Sequence, residues 1–162
     1  MKTVVADASP LIVLATCSLL PVLRQVAGKI VVPATVFAEC TVFRHKPGAS
    51  ALLQAKSAGL LKVHADGDAA LLGEVPALDA GEIAALALAL QLRHPVLMDE
   101  RLGRRVAAVH KIPVIGSAGV LLAARQRGLI PAVRPFLKEW QEYGYFLSPS
   151  LVEAVLMRAG EA

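Results

Sequence analysis

Four carboxylates that are far apart in the sequence are placed where they could act on one ligand: Asp7, Glu39, Glu82 and Asp99. Asp7 and Asp99 each close an apolar run that is typical of a short buried strand. In open α/β sheets, ligands bind in the crevice outside the carboxyl ends of the strands. Glu39 and Glu82 fall on predicted helices that follow strand-like segments. An acidic cluster of this kind predicts a hard divalent cation and, with it, phosphate chemistry.

Each of these acids also has a structural explanation. Asp7 and Asp99 precede predicted helices, where Asp is a favoured N-cap that stabilises by about 1 kcal/mol. Glu82 follows Asp79 at the three-residue spacing of a capping box. Glu39 borders an apolar helix face, with no Lys or Arg three or four residues away. The four together favour a cation, because two carboxylates about 4 Å apart repel by roughly 4 kcal/mol at an effective dielectric near 20.

Candidate phosphate contacts follow the last of the acids. Arg101, Arg104 and Arg105 lie close together on one side of the next predicted helix. They form either a solvated helix face or a set of contacts to a phosphate backbone. Ser117 follows Gly116 where a predicted strand joins a helix N-terminus, a natural place for an anion or a metal-bound water. A tight turn needs the same two residues, so both interpretations stay open.

Alternating strands and helices must position these side chains. Apolar runs between Gly and Pro residues predict five strands, at residues 3–6, 29–32, 60–64, 95–98 and 113–115. Helices are predicted after each strand, and residues 65–78 are predicted as a loop. The helices cover residues 10–27, 33–43, 49–58, 79–92, 99–110, 117–127, 131–143 and 149–159. This alternation predicts an α/β fold with a parallel sheet covered by helices on both faces. One domain over residues 1–162 is expected, with a helical tail from about residue 131.

Composition narrows the class of protein. The chain has 162 residues, of which 56% are hydrophobic, and a formal net charge of +4, which mildly favours an anionic partner. Each apolar stretch is shorter than the roughly 18 residues that a membrane-spanning helix needs, and a cytoplasmic protein is expected. Cys17 and Cys40 lack metal-binding spacing and are expected to be reduced.

Several short motifs, taken in order, resemble PIN-domain ribonucleases. They are the opening VADASP at 5–10, Glu39 after the second strand, GEIAALA at 81–87 and LMDE at 97–100. Their continuation, RLGRRVA at 101–107 and VIGSAGVL at 114–121, resembles a prokaryotic branch similar to the VapC-like toxins. The resemblance covers nearly the whole chain.

The resemblance implies a Rossmann-like α/β/α fold and cleavage of single-stranded RNA that depends on Mg²⁺ or Mn²⁺. It implies that the catalytic residues and the metal ligands are the same four acids, Asp7, Glu39, Glu82 and Asp99. Ser9 and Ser117 would position a metal-bound water or a phosphate. VapC-like proteins commonly form homodimers and are silenced by a small antitoxin whose basic or hydrophobic tail enters the acidic groove.

A second hypothesis is a PIN-like module that binds RNA or a protein without catalysis. It rests on the basic charge balance and on Glu82, which stands where the better-known toxins more usually carry aspartate. The aromatic residues concentrated at 136–146 have two interpretations as well. They dock the tail onto its own domain, or they form a surface for a dimer or another partner.

Overall fold

The computed structural model describes residues 2–162 and contains a five-stranded, all-parallel sheet in the order β3-β2-β1-β4-β5. The strands are β1 (Thr3–Ala6), β2 (Lys29–Pro33), β3 (Leu61–His64), β4 (Val96–Leu97) and β5 (Val114–Ile115). Val4 and Val5 of β1 point to opposite faces of the sheet and are both fully buried, so both faces are covered. This confirms the predicted α/β fold.

The strand order places two of the acids side by side. The chain runs from β1 to β2 and β3 on one side, and then returns to β4 and β5 on the other. Ala6 of β1 pairs with Leu97 of β4, so Asp7 and Asp99 follow adjacent strands at the same edge. This is the point where the strand order reverses, which is where open α/β sheets bind ligands.

Nine α-helices and one short 3₁₀ helix are described within residues 2–162. They are α1 (Ala8–Thr16), α2 (Leu20–Ala27), α3 (Ala34–Thr41), α4 (Ala49–Ser57), α5 (Ala80–Leu92), α6 (Arg101–Val109), α7 (Ser117–Gln126), α8 (Arg134–Glu142), α9 (Pro149–Arg158) and the 3₁₀ helix Ala69–Leu72. Within these residues, none of the helices has the length and apolar character that crossing a bilayer requires.

The prediction of one continuous first helix is wrong, because the structure has two helices there, α1 and α2. Ser18 adopts a left-handed conformation with φ of 59°, and the Leu19 amide donates back to the Leu14 carbonyl at 2.9 Å. Pro21 then lies in the first turn of α2, where its missing N–H costs nothing. Inside a continuous helix the same proline would remove a hydrogen bond and clash with the preceding turn.

Two other segments differ from prediction. The helix expected through Phe43 ends at Thr41, and residues 42–48 form tight turns instead. The predicted loop at 65–78 contains the 3₁₀ helix, whose first turn is capped when the Asp68 carboxylate accepts from the Ala70 amide at 3.0 Å.

The tail packs onto the rest of the chain. Trp140 of α8 is only 1% exposed, and its indole Nε1–H donates to Cys17 Sγ at 3.3 Å. Tyr145 meets the Trp140 ring edge-on, with centroids 6.1 Å apart. The tail therefore docks on its own chain, while Tyr143 and Phe146 remain exposed. Cys17 and Cys40 are both free thiols, as predicted.

Candidate functional site

Asp7 is the buried acid of the site. It follows β1 directly and occupies the N-cap position of α1, yet its side chain makes no capping hydrogen bond. The capping explanation of Asp7 is therefore wrong. The residue is 5% exposed, and burial together with the charges of Glu82, Asp79 and Glu39 raises its pKa from 3.8 to about 7. The Ala8 amide offsets only part of that increase. Among residues 2–162, no lysine or arginine lowers the pKa of Asp7.

Glu39 lies on the last turn of α3 and faces the N-terminus of α5. Burial, followed by the charge of Asp79, raises the pKa of Glu39, while the Gly81 amide lowers it. A Cβ at Gly81 would lie 2.5 Å from Glu39 Oε2, so the carboxylate rests directly on the backbone there. Glu39 needs no lysine or arginine neighbour on its own helix, because a helix N-terminus favours negative charge.

Glu82 takes part in a capping box. The Glu82 amide donates to Asp79 Oδ1 at 2.7 Å, and the Asp79 amide donates to Glu82 Oε2 at 2.9 Å. The structural role predicted for Glu82 from its spacing is confirmed. Burial and the charges of Asp79 and Glu100 raise the pKa of Glu82, although the Asp79 amide opposes them.

Asp79 is an acid that the sequence identified only as a helix cap. Its charge raises the pKa of Asp7, Glu39 and Glu82 alike, which places it among them electrostatically. The signal in the sequence was its position three residues before Glu82, on the helix that the motif at 81–87 begins.

Asp99 is held by hydrogen bonds from two distant segments. The Ser117 amide donates to Asp99 Oδ1 at 2.7 Å, and the Ser117 hydroxyl donates to Oδ2 at 2.5 Å. The Tyr145 hydroxyl also donates to Oδ2. The capping role considered for Asp99 is wrong, because Glu100 is the N-cap of α6 and accepts from the Leu102 and Gly103 amides. Asp99 instead connects β4, α7 and the tail.

Tyr145 is a site residue that the sequence did not identify. Burial, the negative charge of Asp99 and its hydrogen bond to that carboxylate strongly raise the pKa of the Tyr145 hydroxyl, and the charge of Asp7 adds to this. Tyr145 therefore remains a neutral hydrogen-bond donor to Asp99, and it is close enough to Asp7 to feel its charge. Its aromatic character was visible in the sequence, but nothing in its spacing connected it with Asp99.

The remaining residues predicted to bind substrate are Ser9 on α1 and three arginines on α6. Ser9 is exposed in the first turn of α1 and lines a cleft of about 310 Å³ together with Glu39 and Tyr145. Arg104 Nη1 and Asp99 Oδ1 each lie 2.9 Å from where a Gly116 Cβ would be, so the absent side chain leaves room for both. Two further arginines, Arg101 and Arg105, are exposed on the same helix.

Comparison of the chain with models of known protein families identifies its family. A family model described as a PIN domain (DUF3368) matches residues 3–161. The chain belongs to the PIN-domain family. PIN domains are in general nucleases that act on nucleic acids and typically use divalent metal ions, so the family indicates a nucleolytic function. The predicted resemblance is confirmed at this level, and the match includes the tail helices. None of the curated proteins compared with the chain matches it.

The donor chemistry of this PIN domain fits a hard divalent cation. The site offers carboxylate oxygens, which Mg²⁺ prefers, and a nearby cation would favour the ionised form of Asp7, which burial and its acidic neighbours disfavour. The bare backbone at Gly81 accommodates the Glu39 carboxylate. Within residues 2–162, no three His, Cys, Asp or Glu side chains converge as a ready ligand set. Glu82 and Asp99 both use carboxylate oxygens in hydrogen bonds to the protein.

Proposed function

We propose that this PIN domain is a Mg²⁺- or Mn²⁺-dependent endoribonuclease that hydrolyses phosphodiester bonds of single-stranded RNA. The observation that carries the proposal is Asp7, a buried carboxyl group at the switch point of the sheet whose pKa is raised to about 7 by burial and by the charges of Glu82, Asp79 and Glu39. Burying a carboxylate close to other negative charges is unfavourable unless a cation or protonation compensates it. A bound metal ion that also contacts the phosphate of the substrate would offset the unfavourable free energy of placing these acids close together.

In this proposal the four acids would together bind the cation. Asp7 offers a buried carboxylate, and Glu39 and Glu82 approach it from α3 and α5. The bound cation would supply an activated water and would stabilise the negative charge that develops on the phosphoryl group. Asp99 is fixed in orientation by its hydrogen bonds, so little further ordering is needed when the cation binds.

Polar and basic side chains around the acids would bind the RNA backbone. Ser9 is exposed beside Glu39 and can donate a hydrogen bond to a phosphate oxygen. Ser117 is fully buried with its hydroxyl committed to Asp99, so we assign it a role in positioning that acid. Arg104 is next to Asp99, and Arg101 and Arg105 extend the positive charge along α6 for further phosphates.

The direct test is cleavage of a labelled single-stranded RNA by the wild type and by two acid variants. Asp7→Asn and Asp99→Asn are expected to lose about 100-fold or more in rate, because a cation contributes several kcal/mol of transition-state stabilisation. Glu74→Gln, a change of an exposed acid outside the site, is expected to cleave normally. Cleavage that survives both Asp variants, or that continues in EDTA, would refute the metal-dependent mechanism.

The resemblance to VapC-like proteins supports a role as the toxin of a toxin–antitoxin pair. In that role the protein would act as a homodimer, and a small antitoxin would place its basic or hydrophobic tail in the acidic groove. Growth arrest on induction, relieved by Asp7→Asn, is the expected result in cells. Light scattering after size exclusion tests the dimer, and a monomer at high concentration would contradict it.

One observation favours a second candidate, a PIN-like module that binds RNA or a protein without cleaving. Glu82 is committed to the capping box, and the described residues hold no ready set of three metal ligands. RNA affinity that is unchanged by chelation, together with no product at any Mg²⁺ or Mn²⁺ concentration, would favour this candidate over the nuclease.

A further inference from the structure

The acidic site continues into a cleft that the four acids do not explain. Its walls come from α1, α3 and the tail, and they include Ser9, Ile12, Glu39, Lys46, Tyr143 and Tyr145. Glu39 and Tyr145 belong to the acidic site, whereas Lys46 lies on a loop outside it. The cleft volume of about 310 Å³ falls at the lower end of the range for small-molecule sites, about 300–1,000 Å³. The cleft therefore provides a recess directly beside the acids.

The loop at residues 42–48, here called the basic loop, is exposed but held in place. The Lys46 amide donates to the Phe43 carbonyl at 3.0 Å, and the Ala49 amide donates to the Lys46 carbonyl at 3.3 Å. Gly48 takes a left-handed φ of 84° and contacts Ile12 of the cleft wall, where a Cβ would lie 3.4 Å away. These contacts fix the loop against the cleft.

The chemistry of the basic loop differs from that of the acids beside it. Arg44, His45 and Lys46 are consecutive and exposed. Phe43 is 52% exposed, and Lys46 Nζ lies 5.0 Å from the centre of its ring. On the tail side of the same cleft, Tyr143 is 53% exposed. Single exposed aromatic residues are ordinary, but here Tyr143 lines the cleft, and Phe43 lies beside it in contact with the cleft residue Lys46.

Aromatic rings combined with positive charge match one class of ligand in particular. Sites for single-stranded nucleic acid join cations that contact the phosphates with aromatic rings on which unpaired bases stack. We propose that the cleft and the basic loop bind single-stranded RNA beside the acids, with Lys46 contacting a phosphate and Phe43 and Tyr143 stacking bases. This inference rests on the proposed function, since it gives the path of that enzyme's substrate.

Binding can be measured without cleavage, by fluorescence anisotropy of a labelled twelve-nucleotide uridine RNA in EDTA. Phe43→Ala and Tyr143→Ala are each expected to weaken binding about five- to 150-fold, the usual loss when a stacking platform is removed. Met157→Ala is the matched control, because Met157 is 64% exposed on α9 and lies outside the cleft. Phe43→Tyr keeps the ring and is expected to restore binding.

The salt dependence of the same measurement tests the phosphate contact. Lys46→Ala is expected to lower the slope of log affinity against log salt concentration by about 0.7, the value for one phosphate contact on a single strand. Lys29→Ala is the charge-matched control, because Lys29 begins β2 at the opposite edge of the sheet. A wild type that does not bind the oligomer, equal losses in the control variants, or equal affinity for duplex RNA would overturn the proposal.

The two proposals fail in distinguishable ways. Wild-type cleavage, with cleft variants that bind and cleave normally, would reject the cleft and keep the nuclease. Binding that is lost in Phe43→Ala and Lys46→Ala, without cleavage by any protein, would keep the cleft and reject the nuclease.

Discussion

Replacing Asp7 with asparagine is expected to stabilise the folded protein, and to do so more at alkaline than at acidic pH. The two side chains have nearly the same shape, so packing is conserved while the buried charge is removed. Asp7 is 5% exposed, and its pKa rises from 3.8 to about 7 through burial and the charges of Glu82, Asp79 and Glu39. The folded state therefore holds a proton on Asp7 that the unfolded state releases near its ordinary pKa.

The sign and size of the effect follow from those two pKa values. Because the folded pKa is the higher one, stability is lost as pH rises from 3.8 and the loss is complete above about pH 7. The full difference corresponds to about 4 kcal/mol, and about 1.6 kcal/mol of it is already present at about pH 5. Asparagine does not ionise, so its advantage over wild type is expected to grow by about 2–3 kcal/mol between about pH 5 and pH 8.

Urea denaturation in EDTA at the two pH values measures this difference. Titrating groups that do not interact with Asp7 affect both proteins alike and cancel in the comparison. Glu74→Gln is the control, because it removes an exposed acid and is expected to follow wild type at both pH values. A stability difference between Asp7→Asn and wild type that does not change with pH, or an Asp7→Asn protein that is less stable at pH 8, would refute the reasoning.

Three further outcomes are expected. Mg²⁺ at about 100 times its dissociation constant should stabilise the wild type by about 2.7 kcal/mol in thermal or urea unfolding at pH 8, and no shift over matched NaCl would contradict a cation site. Tyr145→Phe removes a hydrogen bond to the charged Asp99 carboxylate and should lower the free energy of unfolding by about 1.5 kcal/mol or more, whereas unchanged stability would show that the contact is dispensable. Gly81→Ala places a Cβ 2.5 Å from Glu39 Oε2 and should weaken Mg²⁺ binding about 10-fold or more by calorimetry. Gly119→Ala, where an added Cβ meets only ordinary contact, should bind normally, and equal behaviour of the two would be evidence against a role for the bare backbone.

The sheet was predictable because its signals are local. Each strand is an apolar run bounded by Gly, Pro or a charged residue, and the buried strands of a parallel sheet read as continuous apolar segments. The break at Ser18 was harder to predict, since the sequence around it is apolar on both sides and Pro21 is compatible with either a kink or a new helix. The end of α3 before Phe43 was missed because an aromatic residue at helical spacing indicates a buried face, whereas Phe43 is exposed.

The candidate site was only partly predictable for a related reason. Strand ends placed Asp7 and Asp99 together, and three-residue spacing predicted the capping box of Glu82. The contact of Tyr145 with Asp99 joins residues 46 positions apart and depends on how the tail docks, which no local pattern encodes. The role of Gly81 depends likewise on the approach of α3 to α5. Such contacts follow from tertiary packing, so they required the structure.

The most direct test of the account is the initial rate of cleavage of a single-stranded RNA with Mn²⁺ or Mg²⁺, by wild type and Asp7→Asn purified in parallel. We expect product from the wild type with either metal, none in EDTA, and a rate about 100-fold or more lower in the variant. Equal rates for the two proteins, or no product from wild type over a range of RNA sequences and metal concentrations, would contradict it.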